Sequence, residues 1–332
     1  MLSKLPVLNY LICCLLLCTA CNKADNEPYD KVAAFEDLWS SFNRYSASID
    51  ARALDWNGLR DQYLPLVKNE MSATAYFELI SQFLQEIRDP HVHLISPTRT
   101  MYTIDYLNYQ RNINFNLTEQ NYLQSVERHS ASIVSATIND SIAYIYARDF
   151  KGDRETVAAI YEDIIREQQS KKALIIDLRE NDGGSVYNAQ SLLNRIAPER
   201  KLWHTTENKI LGGFDEKFNW YIEPTTPSFK NKKIVVLIGR YTISAGERFS
   251  IGANLLDQVT TLGDTTANTQ GSVMGREMLN GWKYTLTFER CLAPDGTNYG
   301  GVGIAPDIYV PTQSLDLNTE DALLEKAIEL IE

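Results

Sequence analysis

Two short apolar runs, each emptying into a turn and then a helical pattern, constrain this chain more than any other feature. "ALIIDLREN" (Ala173 to Asn181) meets Asp182-Gly183-Gly184 and continues as the helix-like "NAQSLLNRI". "KIVVLIG" (Lys233 to Gly239) turns and continues as the helix-like "SAGERFSIGANLL". A run of four or five consecutive apolar residues between turn signals reads as a strand covered on both faces, which requires helices above and below its sheet. Upstream, "IAYIYARDF" (Ile142 to Phe150) reads as a strand and "TVAAIYEDIIREQ" as a helix, so the strand–helix–strand unit repeats and predicts an α/β layer architecture. Between the two runs, Trp203 to Pro227 reads as a looser aromatic- and Pro-rich segment. After them come "VTTLG", a Thr/Asn/Gly loop, the alternating "WKYTLTFERCL", "GGVGIAPDIYV" and a final helix, "EDALLEKAIELI".

From Tyr29 to Ile87 the apolar residues fall instead at helical spacing: Phe35, Leu38, Trp39 and Phe42, then Leu59, Tyr63 and Leu66, then Tyr76, Phe77, Ile80, Phe83, Leu84 and Ile87. This predicts three amphipathic helices, the second running from near Asp55 to about Pro65 and the third capped by Ser72. Residues 92–139 read as irregular to β. Of 332 residues 44% are hydrophobic, enough for a large core, and 32 basic against 43 acidic side chains give a net charge of −11. No long basic run is present, so nucleic acid is not an expected partner.

The start, "MLSKLPVLNYLICCLLLCTAC", carries one lysine and an apolar stretch ending in small residues before Cys21. It reads as a secretory signal over residues 1–20, too short for a stable membrane span. "LCTAC" resembles a bacterial lipobox, with Cys18 where a branched aliphatic residue is usual; lipidation of Cys21 and ordinary secretory cleavage nearby are the two readings, the first favoured. Residues 21–28 then form a tether. The expected location is the cell envelope, with the membrane reached through a lipid. Of the five cysteines only Cys291 lies beyond this region, and it reads as a small buried residue on a strand.

Three segments can do chemistry. Ser244 sits where a buried strand turns into a helix, as a plain N-cap, a turn residue or a nucleophile at the sheet edge. The Gly183-Gly184 turn can expose backbone N–H groups to an oxyanion or phosphate, or can be an ordinary strand-to-helix turn. In "RDPHVHL", an extended backbone would put Asp89, His91 and His93 on one face and admit a metal site; alternatively one histidine lies in the core and the other in solvent. His129 and His204 complete the histidine inventory.

Taken in order, "EIRDPHVHL", "ALIIDLRENDGG", "TISAGERF", "LGDTTA" and "GVGIAPDIYV" resemble the S41 serine peptidases, which include the carboxyl-terminal processing proteases, the tricorn core and retinoid-binding repeats. The resemblance implies a crotonase/ClpP-like ββα superhelix core over residues 91–332, preceded by a helical subdomain over 29–90. It implies a serine endopeptidase acting on peptides or unfolded proteins, with no metal or organic cofactor. Ser244 becomes the nucleophile and His91 its general base, with an oxyanion hole from the amide of Ala245 and that of Gly183 or Gly184. The lysine of the processing-protease branch has no match in "GDTTANTQGS"; Lys283 lies in the next strand. About fifty residues between His91 and Asp140 are too few for a PDZ module. Where the histidine branch has a glutamate before its last glycines this chain has Gly300, leaving Asp89, Asp295 and Glu289 as candidate orienting carboxylates. The same substitution admits a second reading, a catalytically impaired protein binding a peptide or apolar ligand on the same fold.

Overall fold

A computed structural model describes residues 29–102 and 109–332; the expected signal, Cys21 and tether lie outside the described residues. Helix α1 (Lys31–Tyr45) starts where the Asp30 carboxylate accepts the N–H groups of Val32 and Ala33. A five-residue helix, α2 (Ala47–Ala51), follows it. Asp55 caps α3 (Trp56–Tyr63), which tightens into a 3-10 turn at Leu64–Leu66, and the Ser72 hydroxyl caps α4 (Ala73–Gln85). Helix α2 adds a fourth helix to the three expected, because five residues are too few to show a period. The buried faces of α1 and α4, including Phe35, Phe42, Ile80 and Phe83, share a core with Tyr284 and Leu286 from far along the chain.

The next elements are β1 (His93–Ile95), β2 (Thr100–Tyr102), α5 (Phe115–Tyr122), β3 (Gln124–Arg128), β4 (Ile133–Ile138) and β5 (Ile142–Ala147). Then come α6 (Arg154–Gln168), β6 (Ala173–Asp177), α7 (Val186–Leu193), β7 (Lys201–Ile210), β8 (Gly213–Phe214), β9 (Phe218–Ile222), β10 (Lys233–Ile238) and α8 (Ala245–Ala253). The chain closes with β11 (Val259–Gly263), β12 (Val273–Glu277), β13 (Lys283–Thr287), β14 (Glu289–Leu292), β15 (Ile308–Tyr309) and α9 (Ala322–Ile331). A seven-stranded sheet in the order β15-β11-β10-β6-β5-β4-β3 forms the centre, parallel from β5 to β15. Two smaller sheets flank it, β12-β13-β1-β2 and β14-β7-β8, with β9 also paired to β7.

The α/β core preceded by helices is the architecture expected. Three local expectations are corrected. Within Trp203–Pro227 lie most of the ten-residue strand β7 and all of β9; Thr205, Thr206 and Asn208 hide the alternation, and pairing with β14 and β9 supplies what pattern does not. The stretch read as irregular to β contains α5, whose polar sequence is held by the Asn114 cap and by Phe115 stacking on Tyr146 at 4.1 Å. "WKYTLTFERCL" divides at Phe288 into β13 and β14, which enter different sheets. Cys291 lies buried on β14 as expected, its thiol pushed up to about 12 by burial.

Strands β6 and β10 are adjacent and parallel, with Leu237 opposite Asp177, so the turns that follow them emerge side by side at one sheet edge. In α/β sheets that edge is where ligands bind. The turn after β6 is anchored by the fully buried Arg179, whose guanidinium pairs with Asp177 at 2.6 Å and with Asp321 at the start of α9 at 2.6 Å. A buried guanidinium requires such carboxylates, because removing it from water is costly unless its donors are matched.

Candidate active site

Ser244 lies between β10 and α8 with φ 58 and ψ −116, a conformation that non-glycine residues rarely adopt. Its N–H donates to the Thr269 carbonyl at 3.1 Å and to Glu247 Oε2 at 3.2 Å. The backbone is thus fastened on both sides while the side chain is turned out of the path of an ordinary helix entry. Gly183, at φ 68, presses against it: a Cβ there would stand 2.7 Å from Ser244 Cβ. Only glycine leaves room for the serine at this approach.

The two candidate glycine amides differ. Gly183 N–H donates to Asn181 Oδ1 at 3.1 Å and is already used. Among the described residues, the amides of Gly184 and of Ala245, first in α8, have no protein acceptor. Asn181, buried and not singled out from the sequence, ties the two turns together. Its Nδ2 donates to the Ala147 carbonyl at 2.8 Å and its own carbonyl accepts Ile243 N–H at 3.0 Å.

Glu247 is the second residue that sequence reasoning missed. Its fully buried carboxylate accepts from the Thr266 hydroxyl (2.7 Å), the amides of Asn268 and Thr269 (2.8 Å each), the Gln270 side chain (2.9 Å) and Ser244 N–H (3.2 Å). One side chain therefore clamps the loop 266–270 onto the start of α8. Burial pushes its pKa up against the pull of those donors. The signal was present in "SAGE", a Ser-x-x-Glu capping box.

His91 reaches the serine through the same loop. Its Nδ1 lies 3.3 Å from the hydroxyls of both Thr269 and Thr287, and Thr269 also carries the carbonyl that holds Ser244 N–H. Among the described residues no hydrogen bond joins the Ser244 hydroxyl to the imidazole. Burial lowers the His91 pKa, opposed by the neighbouring Asp89, which raises it, so the ring is neutral near pH 7.

Residues 141–310, just over half the chain, match the model of peptidase family S41, and residues 30–85 match that of the tricorn protease C1 domain. The chain belongs to peptidase family S41. Solved structures share the fold. A candidate peptidase from Parabacteroides merdae is 24% identical over 91% of this chain and 97% of its own, with a TM-score of 0.79. Mature CPAF is 12% identical over 90% and 96% (TM-score 0.67), and the photosystem II D1 C-terminal processing protease 14% over 91% and 97% (TM-score 0.54).

Within this S41 site, the three candidate carboxylates stand in different places. Asp295 is exposed in a turn, accepting Thr297 N–H at 2.9 Å. Glu289 is held by Arg248 and by the Ser272 hydroxyl at 2.9 Å. Asp89 alone contacts the histidine: fully buried, it accepts His91 N–H at 2.9 Å and, on its other oxygen, the hydroxyls of Ser48 and, at 2.6 Å, Thr287. The Thr287 hydroxyl, donating to Asp89, has a lone pair turned to His91 Nδ1 at 3.3 Å. Burial alone would raise the Asp89 pKa, but Arg52, His91 and these hydroxyls hold it well below the usual carboxylate range.

Gly300 borders a small cavity of about 20 Å3 shared with Thr269, Thr287, Ser48 and Arg52. A side chain there would meet Ala51 Cβ at 3.1 Å, so α2 crowds the position where the resemblance places a glutamate. Lys283 is exposed on β13, paired opposite Glu277 and Ile95. The extended geometry behind the two-histidine metal reading is absent: Asp89 to Val92 is a turn closed by Val92 N–H on the Asp89 carbonyl at 2.9 Å, and His93 Nε2 contacts the Pro90 carbonyl at 3.1 Å. Among the described residues no group of three His, Cys, Asp or Glu side chains could hold a metal ion.

Proposed function

We propose that the chain is a serine-type endopeptidase in which Ser244 forms the acyl-enzyme and His91 is the general base. The observation that carries this reading is Ser244 itself, held at positive φ beside two amides without acceptors and joined to His91 by Thr269. Ser244 Oγ attacks the peptide carbonyl carbon, its proton passes to His91 Nε2, and the ring returns that proton to the departing amine. Water then enters by the same route in reverse. The Ala245 and Gly184 amides receive the negative charge that develops on the carbonyl oxygen, the kind of stabilisation worth about 3 kcal/mol per donor. A serine–histidine hydrogen bond absent before substrate binds is ordinary for such sites.

Asp89 takes the orienting role through Thr287. With Nδ1–H donated to a hydroxyl whose own proton goes to a carboxylate, Nε2 is left as the acceptor that the reaction needs. The test is acylation by a fluorophosphonate, followed by mass spectrometry of the labelled peptide. One label on Ser244 is expected, at a rate that climbs with pH as His91 loses its proton below its ordinary value of about 6.5. Thr287→Val is expected to slow labelling about 100-fold without abolishing it, less than the loss from mispairing a directly bonded triad. Labelling of His91→Ala as fast as the unaltered protein would remove His91 from this role.

A second reading, an impaired site that binds peptide or apolar ligand without turnover, is favoured by Gly300 and the crowding of α2 over it; tight binding with no acylation is its signature. For location, we propose a lipid anchor on Cys21 that holds the protein at the cell envelope. No helix of the described residues is long and apolar enough to cross a membrane. Cys21→Ala is expected to move the protein from the membrane fraction to the soluble one; unchanged membrane association would sink the anchor.

A further inference from the structure

A cleft of about 560 Å3 opens along Asn268 and Pro90, the residues just before Thr269 and His91. Two arginines line it, Arg52 from the end of α2 and Arg88 from the turn after α4. Neither forms an ion pair among the described residues, in a chain whose net charge is −11; the carboxylate whose charge Arg52 feels is the buried Asp89, beyond ion-pair distance. Arg52 is half-buried, and its guanidinium is aimed by Nη2 alone, which donates to Asn268 Oδ1 at 2.9 Å and to the Asn268 carbonyl at 3.3 Å. Its stem lies over the Gly300-Gly301 turn, where a Cβ at Gly301 would stand 2.9 Å from Arg52 Cγ. The remaining donors of Arg52 have no described partner. Arg88 is exposed at the same rim. The one carboxylate in the lining, Glu86, is engaged by the Tyr63 hydroxyl at 3.0 Å.

We infer that this cleft is an anion subsite that takes a carboxylate of the bound peptide, with Arg52 and Arg88 as its specificity-determining residues; the assignment rests on the peptidase reading above. A half-buried guanidinium fixed by a neutral amide, with donors left over, is matched by a planar carboxylate that can accept two parallel N–H bonds. Because the cleft adjoins the residues that hold Ser244 and His91, its occupant is the part of the peptide flanking the bond to be cut. That carboxylate comes either from the peptide's own C-terminus or from an acidic side chain near the cleaved bond. A charge-assisted contact of this kind raises affinity about 10- to 100-fold over a neutral isostere.

The experiment uses the full chain carrying Ser244→Ala, so that binding is read without turnover. N-acetylated alanine/phenylalanine hexapeptides are titrated by calorimetry in matched forms: free acid against C-terminal amide, and amidated peptides with Glu against Gln at each position. At least one carboxylate form is expected to bind about 10- to 100-fold tighter than its neutral partner. Free acid over amide identifies the terminus; Glu over Gln identifies a side chain. Adding Arg52→Gln and Arg88→Gln, singly and together, is expected to erase that preference while the neutral forms bind as before. Equal binding of charged and neutral forms, no binding of any form, or a preference that survives the double substitution overturns the subsite. Carboxylate-dependent binding with no hydrolysis by the protein with Ser244 intact leaves the subsite standing and removes the peptidase reading instead.

Discussion

Ser244→Ala is expected to lower kcat/KM for hydrolysis of an unfolded protein substrate by about 10^4- to 10^6-fold, with the fold retained. The loss is large because alanine removes the hydroxyl that the proposed route makes into the acyl bond, and small residual hydrolysis would come from the oxyanion amides and substrate positioning alone. Ser244→Gly sharpens the test. Glycine tolerates φ 58 without the clash that serine bears, so relief of that strain is expected to raise stability by about 1 kcal/mol while turnover is lost. Opposite movements of thermal midpoint and activity in one variant would identify a conformation kept for chemistry. Undiminished turnover in Ser244→Ala would end the assignment of Ser244.

Glu247→Ala is expected to cost about 3–5 kcal/mol of stability, read by denaturant unfolding, and most of the activity with it. The carboxylate accepts five hydrogen bonds in a site closed to water, two of them from the Asn268 and Thr269 amides. With alanine these donors have no acceptor and the loop 266–270 loses its tie to α8. Thr269 then no longer fixes the spacing between Ser244 and His91, so kcat falls even in the folded fraction. Glu247→Gln keeps the shape but turns an NH2 group toward donors, and its loss is expected to lie between alanine and the native residue. A fully stable, fully active Glu247→Ala protein would show that the loop is held by other contacts.

The sheet edge was legible early because the evidence for it is local. Four or five apolar residues, a turn and a helical period need no partner to be recognised, and they predict β6, β10 and the helices that follow. The helix start near Asp55 and the cap at Ser72 were legible for the same reason, since a cap is a contact across three residues. Strand β7 was not, because its polar faces are matched by β14 and β9 rather than by an internal pattern. The assignment of donors within the Gly-Gly turn also lay beyond pattern: "NDGG" marks the turn, but the Asn181 side chain decides that Gly183 has a used amide and Gly184 an open one.

By itself the sequence determined the order of the core strand–helix units, the α/β class, the positions of Ser244, His91 and the glycine turn, and, through the resemblance, the departure at Gly300. Each of these is written in neighbouring residues or in motifs of a few positions. Only the tertiary structure decided which carboxylate meets the histidine. Asp89 and Thr287 are separated by 198 residues of chain, Ser48 and Asp89 by 41, and Thr269 and His91 by 178. A hydrogen bond depends on distance and direction in space, and contacts of such separation form only when the helical segment, the β1–β13 pairing and the loop after β11 pack together. That packing, through hydroxyls and a buried aspartate, sets the environment of His91 where Gly300 supplies no side chain.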